Sequence, residues 1–464
     1  MQKNKDDQLQ FHFGDLGACL PFFAMLATIV LLVVTGNKAT KYYWSAGVAG
    51  IFVAFIFMKD KKHFSDVMVR GLSNDMFAIL TLAFVFAGIF GKALSVGGLA
   101  NGILWLANSM GVGASWFPAL IFVISAILST CMGTANGTVA TMTPVFMPTA
   151  VALGCYPPLV MGAIVGGAYF GDNLAPISDT TIVSASTQGT DVASCVRTRV
   201  KYSLAAGALT IIVSLVLGHM TMGSPVGVAE AGNISHKSLI LITAPILLVF
   251  LIVRGASLVA SLIVAIAFAV ALSLVTGLIT LEQVYSTKNG IIAGGVEGML
   301  GIIIFSLFSF CLIQFMTESG VLGRMTGKIM ETCKTPMSSE LAIIAICILT
   351  TVMVPSNTVA MVLCGSIVSK IILSQGMERT RGSNLLDGVC VSTVGLLPYG
   401  AGVLLCHSLS VSIGAVGEEF SPTSIIPYSF YCMFLIGVFV FSAVSGWGRR
   451  FSNDNAPVAQ PATE

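Results

Sequence analysis

The stretch Gly166–Ile182 reads GGAYFGDNLAPISDTTI. It lies in an apolar region, yet it carries Asp172, Asn173, Ser178, Asp179, Thr180 and Thr181 around Pro176. The lead-in Leu159–Phe170 is long enough for about three helical turns. Pro176 then ends the helix, because it lacks an amide hydrogen and its ring clashes with the carbonyl four residues back, that of Asp172. Asp172 therefore offers a carboxylate and a freed backbone oxygen. Within a bilayer such a polar break survives only when buried in protein or facing a wet cavity, and intramembrane acids mark functional sites by default.

The surrounding composition puts the break in a membrane. The 464 residues are 55% hydrophobic and 9% charged, against about 25% charged in soluble domains. Apolar runs of about 20 residues, the length that crosses a bilayer, recur throughout. These features predict an all-α polytopic membrane protein with no soluble catalytic domain, so no enzyme activity is expected. The net charge of +2 excludes a nucleic-acid partner, leaving membrane lipid and small solutes. The 11 cysteines form no CxxC pair and imply neither a metal site nor a disulfide framework. Gly17–Thr35 lacks a small-residue cleavage site and reads as a retained transmembrane helix.

Two halves follow one plan. Repeat 1 spans residues 16–218 and repeat 2 spans 238–446, between cytoplasmic tails 1–15 and 447–464 and joined by an external linker, 219–237. Each holds about five crossing helices, a hairpin and a broken helix. The hairpin arms are Ser115–Met132 and Thr138–Gly154, then Leu341–Val354 and Thr358–Ser374. The last helix of the first half is placed at Tyr202–Gly218. The tip Thr134–Ala140 (TANGTVA) resembles Pro355–Ala360 (PSNTVA). Pro176 pairs with Pro398 in LLPYGAGVLL, and Ser73–Met76 with Val296–Met299, all at offsets of 220 to 223 residues.

Charge sets the expected sidedness. With the N-terminus inside and each hairpin returning to its starting side, only Lys38, Lys41, Lys92, Lys237 and Lys288 of the 23 basic residues fall outside. The basic segments Lys59–Arg70, Arg197–Lys201, Arg254, Arg324–Lys334, Lys370–Arg381 and Arg449–Arg450 are then inside, as the positive-inside rule requires. An odd number of crossings per half makes the repeats inverted. Inverted repeats with paired broken helices point to a secondary transporter with its site at the midplane.

A broken helix offers oxygen ligands to a small hard cation such as Na+. The candidates are Asp172, Asn173, Ser178, Asp179, Thr180 and Thr181 at the first break, with Na+ placed at Asp172 and Asp179. The hairpin tips add Thr134, Asn136, Thr138, Ser356, Asn357 and Thr358. The second break adds Asp387, Pro398, Tyr399 and Gly400. Val394 and Ala401 stand where Asp172 and Asp179 would be, so the titratable site is expected mainly in the first repeat. Protons and cations compete for a buried carboxylate, so Na+ binding would expel a proton. Other readings stay open: Ser178 and Asp179 also suit helix capping, and Asp387 also suits a structural hydrogen-bonding role. Asp75 and Glu297 read as helix-end residues near water. His407 reads as satisfied by its neighbours. No intramembrane arginine is expected to hold a carboxylate cargo.

The run Gly167–Thr181 resembles the signature of the NhaC family of Na+/H+ antiporters, within the ion transporter superfamily. The pattern F-G-D-x-x-x-P-x-S-D-T-T is matched by Phe170, Gly171, Asp172, Pro176, Ser178, Asp179, Thr180 and Thr181. Asn384–Asp387 and Leu397–Ala401 are similar to the family's C-terminal part. The resemblance implies an inner-membrane, alternating-access Na+/H+ antiporter with no prosthetic cofactor, with Na+ and H+ as its ions, and a homodimer. Some members carry small organic acids or amino acids instead. The tip TANGT at Thr134–Thr138 departs from Ser/Trp-containing tips such as S-x-W-G-T, at a residue that often faces the solute.

Overall fold

A computed structural model describes residues 8–36, 42–109, 114–221, 236–287, 290–321, 324, 334–417 and 420–452. Most of the linker 219–237, the outer tails (1–7 and 453–464) and Lys3, Lys5, Lys38, Lys41, Lys288 and Lys328 lie outside them. Among the described residues the regular elements are helices, with only two isolated bridges, Phe11 to Met58 and Met377 to Phe451. Seven helices among the described residues are long and apolar enough to cross a membrane. The protein is thus an all-α, multi-pass membrane protein.

The first half runs α1 (Asp15–Val34), α2 (Tyr43–Phe57), α3 (Phe64–Leu72), α4 (Asp75–Val96) and α5 (Leu99–Ser109). The hairpin α6 (Phe117–Met132) and α7 (Ala135–Ala152) follows, then α8 (Pro157–Leu174), α9 (Asp179–Gln188) and α10 (Val192–Met220). The second half runs α11 (Thr243–Val253), α12 (Leu258–Val275), α13 (Leu281–Tyr285), α14 (Ile291–Glu297) and α15 (Leu300–Ser319). Then come the hairpin α16 (Pro336–Met353) and α17 (Asn357–Ser374), the pair α18 (Arg379–Val394) and α19 (Ala401–Ser412), and α20 (Phe430–Ser445). Hairpin followed by broken helix thus recurs in the same order. Helix α10 starts ten residues before the expected Tyr202, because Asp191 caps it by accepting from the Ser194 amide at 2.8 Å.

Each hairpin packs on its own broken helix, and each broken helix sends its second piece to the other hairpin. Helix α6 lies along α8, and α16 and α17 along α18; α9 then packs on α17, and α19 on α7. The α6–α8 approach needs glycine: a Cβ on Gly167 would sit 2.5 Å from the Phe122 carbonyl oxygen. This closeness delivers the tip to the break. Gly133, which ends α6 with φ 66°, meets the Ile177 side chain, so only glycine satisfies both the left-handed backbone and the space.

Contacts separate the helix ends into two sets. At one end Arg324 pairs with Asp15, Arg70 with Glu318 at 2.7 Å, and Arg381 and Arg449 both with Glu340 at 2.8 Å. At the other, Ser95 donates to Ile413 O, Trp116 meets His219, and Tyr156 meets Tyr428. Helix α4 connects the two ends, at about 33 Å for its length. Hairpin α6–α7 begins beside Gly218 at the second end. Hairpin α16–α17 carries Glu340 near its start and ends beside Ser452, both at the first. The two hairpins therefore enter from opposite ends.

Candidate functional site

Both hairpin tips open into one cavity of about 460 Å³. Thr134 and Asn136 come from the first tip and Ser356, Asn357 and Thr358 from the second. Asp172 and Asp179 come from the α8–α9 break, and Tyr399 from the α18–α19 break. Val394 and Ala401 also line it, so the acids stand on one side of a paired arrangement with apolar residues on the other.

The break forms where Pro176 places it: Ala175–Ser178 leave the helical path between α8 and α9. Asp172 is 2% exposed and accepts from Ser178 Oγ at 2.8 Å and from the Ala135 amide at the first tip. Ser178 also meets Thr180 Oγ1 at 2.9 Å. Ser178 occupies the N-cap position of α9 but makes no capping side-chain bond; its hydroxyl turns to Asp172 instead. Asp179 was expected to be buried, but it is exposed. As the first residue of α9 beyond the turn it faces the open cavity, where Thr358 Oγ1 donates to it at 2.6 Å. Each acid of the break is thus tied to a different hairpin tip.

Three expected members of this cation site belong elsewhere. Asn173, Thr181 and Asp387 surround Arg199, which is fully buried seven residues into α10 and ion-paired with Asp387. Arg199 Nη1 donates to Asn173 O at 2.8 Å and Thr181 Oγ1 at 3.3 Å; Nη2 reaches Ser184 and Ser383, and Nε reaches Asn384 Oδ1 at 3.2 Å. Asn173 Nδ2 and Ser184 Oγ donate to Asp387 at 3.3 and 3.2 Å. The carbonyl that the break frees and puts to use is therefore that of Asn173, and its partner is a guanidinium. A cation next to this guanidinium would be repelled, which disfavours Asn173, Thr181 and Asp387 as Na+ ligands. A buried arginine also overturns the expectation of none. The signal for it was the Asp191 cap, which starts α10 early and puts Arg199 one turn before Ser203, whose Oγ donates to Asn173 Oδ1 at 2.8 Å.

The remaining candidates have local roles. Thr138 is buried and donates back to Thr134 O at 3.0 Å, and the Thr134 hydroxyl accepts from the Gly137 amide in capping α7. Asn357 Oδ1 accepts from the Thr358 amide at 3.0 Å. Pro398 and Gly400 shape the second break, where the Gly400 amide donates to Leu397 O at 2.9 Å. Tyr399 donates from its hydroxyl to Val352 O at 3.0 Å. His407 is buried and meets Phe420 O at 2.9 Å. The scattered cysteines are less scattered in space: the sulfurs of Cys347, Cys364 and Cys390, on three helices, lie within 4.8 Å of one another.

The sequence profile of the Na+/H+ antiporter family matches residues 16–219, the half that holds Asp172 and Asp179. Over this stretch the chain is similar to the Na+/H+ antiporter family. The Bacillus subtilis malate-2H+/Na+-lactate antiporter is 26% identical over 56% of this chain and 60% of its own length. An uncharacterised Na+/H+ antiporter of Haemophilus influenzae is 23% identical over 86% of this chain and 90% of its own. The Na+/H+ antiporter NhaC of Alkalihalophilus pseudofirmus is 30% identical over 33% of this chain and 32% of its own. The chain thus spans less than two thirds of the first and third of these relatives. The region that matches the family carries the first hairpin and its broken helix.

Proposed function

We propose that this protein is a Na+/H+ antiporter of the cytoplasmic membrane, with both termini in the cytoplasm and Asp172 as the shared cation and proton site. The observation that supports this best is Asp172 itself: a buried carboxylate at a helix break, between two hairpin tips and facing a cavity. Ser178 and Asp179 complete the set of oxygens beside it. A carboxylate there trades a proton for a cation, and coupling follows if the empty charged site does not cross.

Sidedness fits the same reading. The cavity is lined by Met76, Ile79, Gly255 and Ala256, whose chain neighbours are the basic segments Lys59–Arg70 and Arg254. Under the positive-inside rule this end is cytoplasmic, so the conformation is inward-open. Hairpins that enter from opposite ends favour the inverted arrangement of the two halves. A homodimer belongs to the reading by family resemblance, and light scattering of detergent-solubilised protein tests it.

The alternative, a carrier of small organic acids or amino acids, has the similarity to the Bacillus subtilis malate-2H+/Na+-lactate antiporter behind it. It is disfavoured by the cavity, because no lysine, arginine or histidine is among its described lining residues. Arg199 cannot serve, since its nitrogens are already engaged.

The test is purified protein in liposomes with a trapped pH dye. Addition of Na+ is expected to move protons with no organic solute present; no movement from folded protein would reject the reading. Thr358→Val should slow this exchange about tenfold, in line with a net loss of about 1.5 kcal/mol for a hydrogen bond to a charged group. Thr358→Ser, which keeps the hydroxyl on Asp179, should restore it. Equal rates for the three proteins would remove the tip-to-acid bond from the mechanism.

A further inference from the structure

The cavity is larger and more apolar than sodium requires. A volume of about 460 Å³ lies in the range of about 300–1,000 Å³ that small-molecule pockets occupy. It equals the room of about fifteen waters. Acid oxygens from Asp172 and Asp179 and the amides of Asn136 and Asn357 mark the polar part, at the break and the tips. Leu80, Phe305, Phe310, Ile313 and Leu404 form much of the remaining wall. A cavity serving only a hydrated inorganic ion gains nothing from phenyl and branched aliphatic walls, which hold water poorly.

The electrostatic character selects the sign of the guest. Two carboxylates face the cavity, and none of the described lining residues is basic. A guest with its own carboxylate would bring a third negative group without a partner, which is costly away from bulk water. A primary ammonium presents one positive charge and three N–H donors to this acceptor-rich end. A short alkyl or aryl tail would then lie against the apolar wall.

Resting on the antiport reading above, we infer that the cavity takes a small primary organic ammonium ion in place of Na+, its head at Asp172 and Asp179 and its tail against α4 and α15. Exchange then runs as for sodium: the ammonium ion enters as the carboxylate gives up its proton, and no bond other than O–H is broken. Chain length becomes the diagnostic variable. Burial of each added methylene should tighten binding about fourfold, until the cavity is full.

The test uses the full-length, detergent-solubilised protein with radiolabelled sodium. Methylammonium, n-butylammonium, tetramethylammonium and lactate are offered as competitors, and radiolabelled butylammonium is bound directly as a second arm. Butylammonium is expected to displace sodium at a concentration at least about tenfold below that of methylammonium, and lactate is expected not to displace it. Tetramethylammonium, which has no N–H donor, should be weaker than butylammonium. Asp172→Asn should lose both labelled ligands. Ser306→Phe, which places a ring in the cavity wall, should flatten the dependence on chain length while methylammonium still competes.

Sodium binding with equal potency for methyl- and butylammonium, or with no displacement by either, would overturn this inference and leave the Na+ reading standing. Butylammonium binding without sodium binding would reject the Na+ reading and keep the ammonium site. Binding of neither would overturn both.

Discussion

Asp172→Asn is expected to fold and to insert, but to move no protons when Na+ is added. The substitution keeps the size of the side chain and an oxygen that can accept from Ser178 and Ala135, so packing at the break is preserved. What it removes is the charge. At a contact of about 2.5 Å and an effective dielectric of about 20, one carboxylate attracts a monovalent cation by about 6–7 kcal/mol. Desolvation offsets much of this, yet a remaining third, about 2 kcal/mol, still weakens sodium about thirtyfold. The proton is lost as well, because an amide does not titrate near neutral pH.

Two controls make the result specific. Asp191→Asn changes an exposed helix cap for another good capping residue and should leave exchange unchanged. In the unmodified protein, the apparent affinity for Na+ should fall as pH falls, by at most about tenfold per unit, since proton and cation share one carboxylate. Proton movement by Asp172→Asn at the unmodified rate, or sodium affinity independent of pH, would place the exchange site elsewhere.

The second large effect is on stability and involves Arg199. Arg199→Gln leaves Asp387 charged, buried and without its main partner, while Asn173 O, Thr181 and Ser383 lose a donor. Breaking one side of a buried ion pair costs about 3–5 kcal/mol. The expected outcome is a large fall in the thermal midpoint of the detergent-solubilised protein, and low yield. Arg199→Met combined with Asp387→Leu removes both charges with little change of volume and should recover most of the loss. Recovery in the double variant would mark the pair as a device that pins α10 to the break and to α18. If Arg199→Gln is as stable as the unmodified protein, the pair has no structural role. If the double variant folds but transports nothing, the network works in the transport cycle as well as in the fold.

Much of this molecule is legible along the chain. Pro176 ends α8 because proline cannot continue a helix, and the neighbouring acids in an apolar region mark the break as more than a kink. The repeat of tip and break at a constant offset placed both hairpins within a few residues of where they lie. The starts of individual helices were less legible. Helix α10 begins at Val192, not Tyr202, because Arg197, Arg199 and Lys201 read as a polar loop when each charge is counted alone. Helix α3 was hidden in the basic segment Lys59–Arg70 for the same reason: one amphipathic face is buried while the charges stay out.

The division between what sequence settles and what folding settles follows from locality. Hydropathy, proline and glycine act on the few residues around them, so the membrane class, the break at Pro176 and the chemical inequality of the two halves were determined by the sequence alone. Which oxygens face which charge depends on residues up to 214 positions apart, such as Asn173 and Asp387. Only the tertiary structure could divide the six polar residues of the break. It turned Asp172, Ser178, Asp179 and Thr180 away from Arg199, and gave Asn173 and Thr181 to it. The physical reason is that a buried guanidinium requires an acceptor for every nitrogen. The α8–α9 break, exposing its backbone beside α10, supplies part of that set and leaves Asp172 and Asp179 to the cavity.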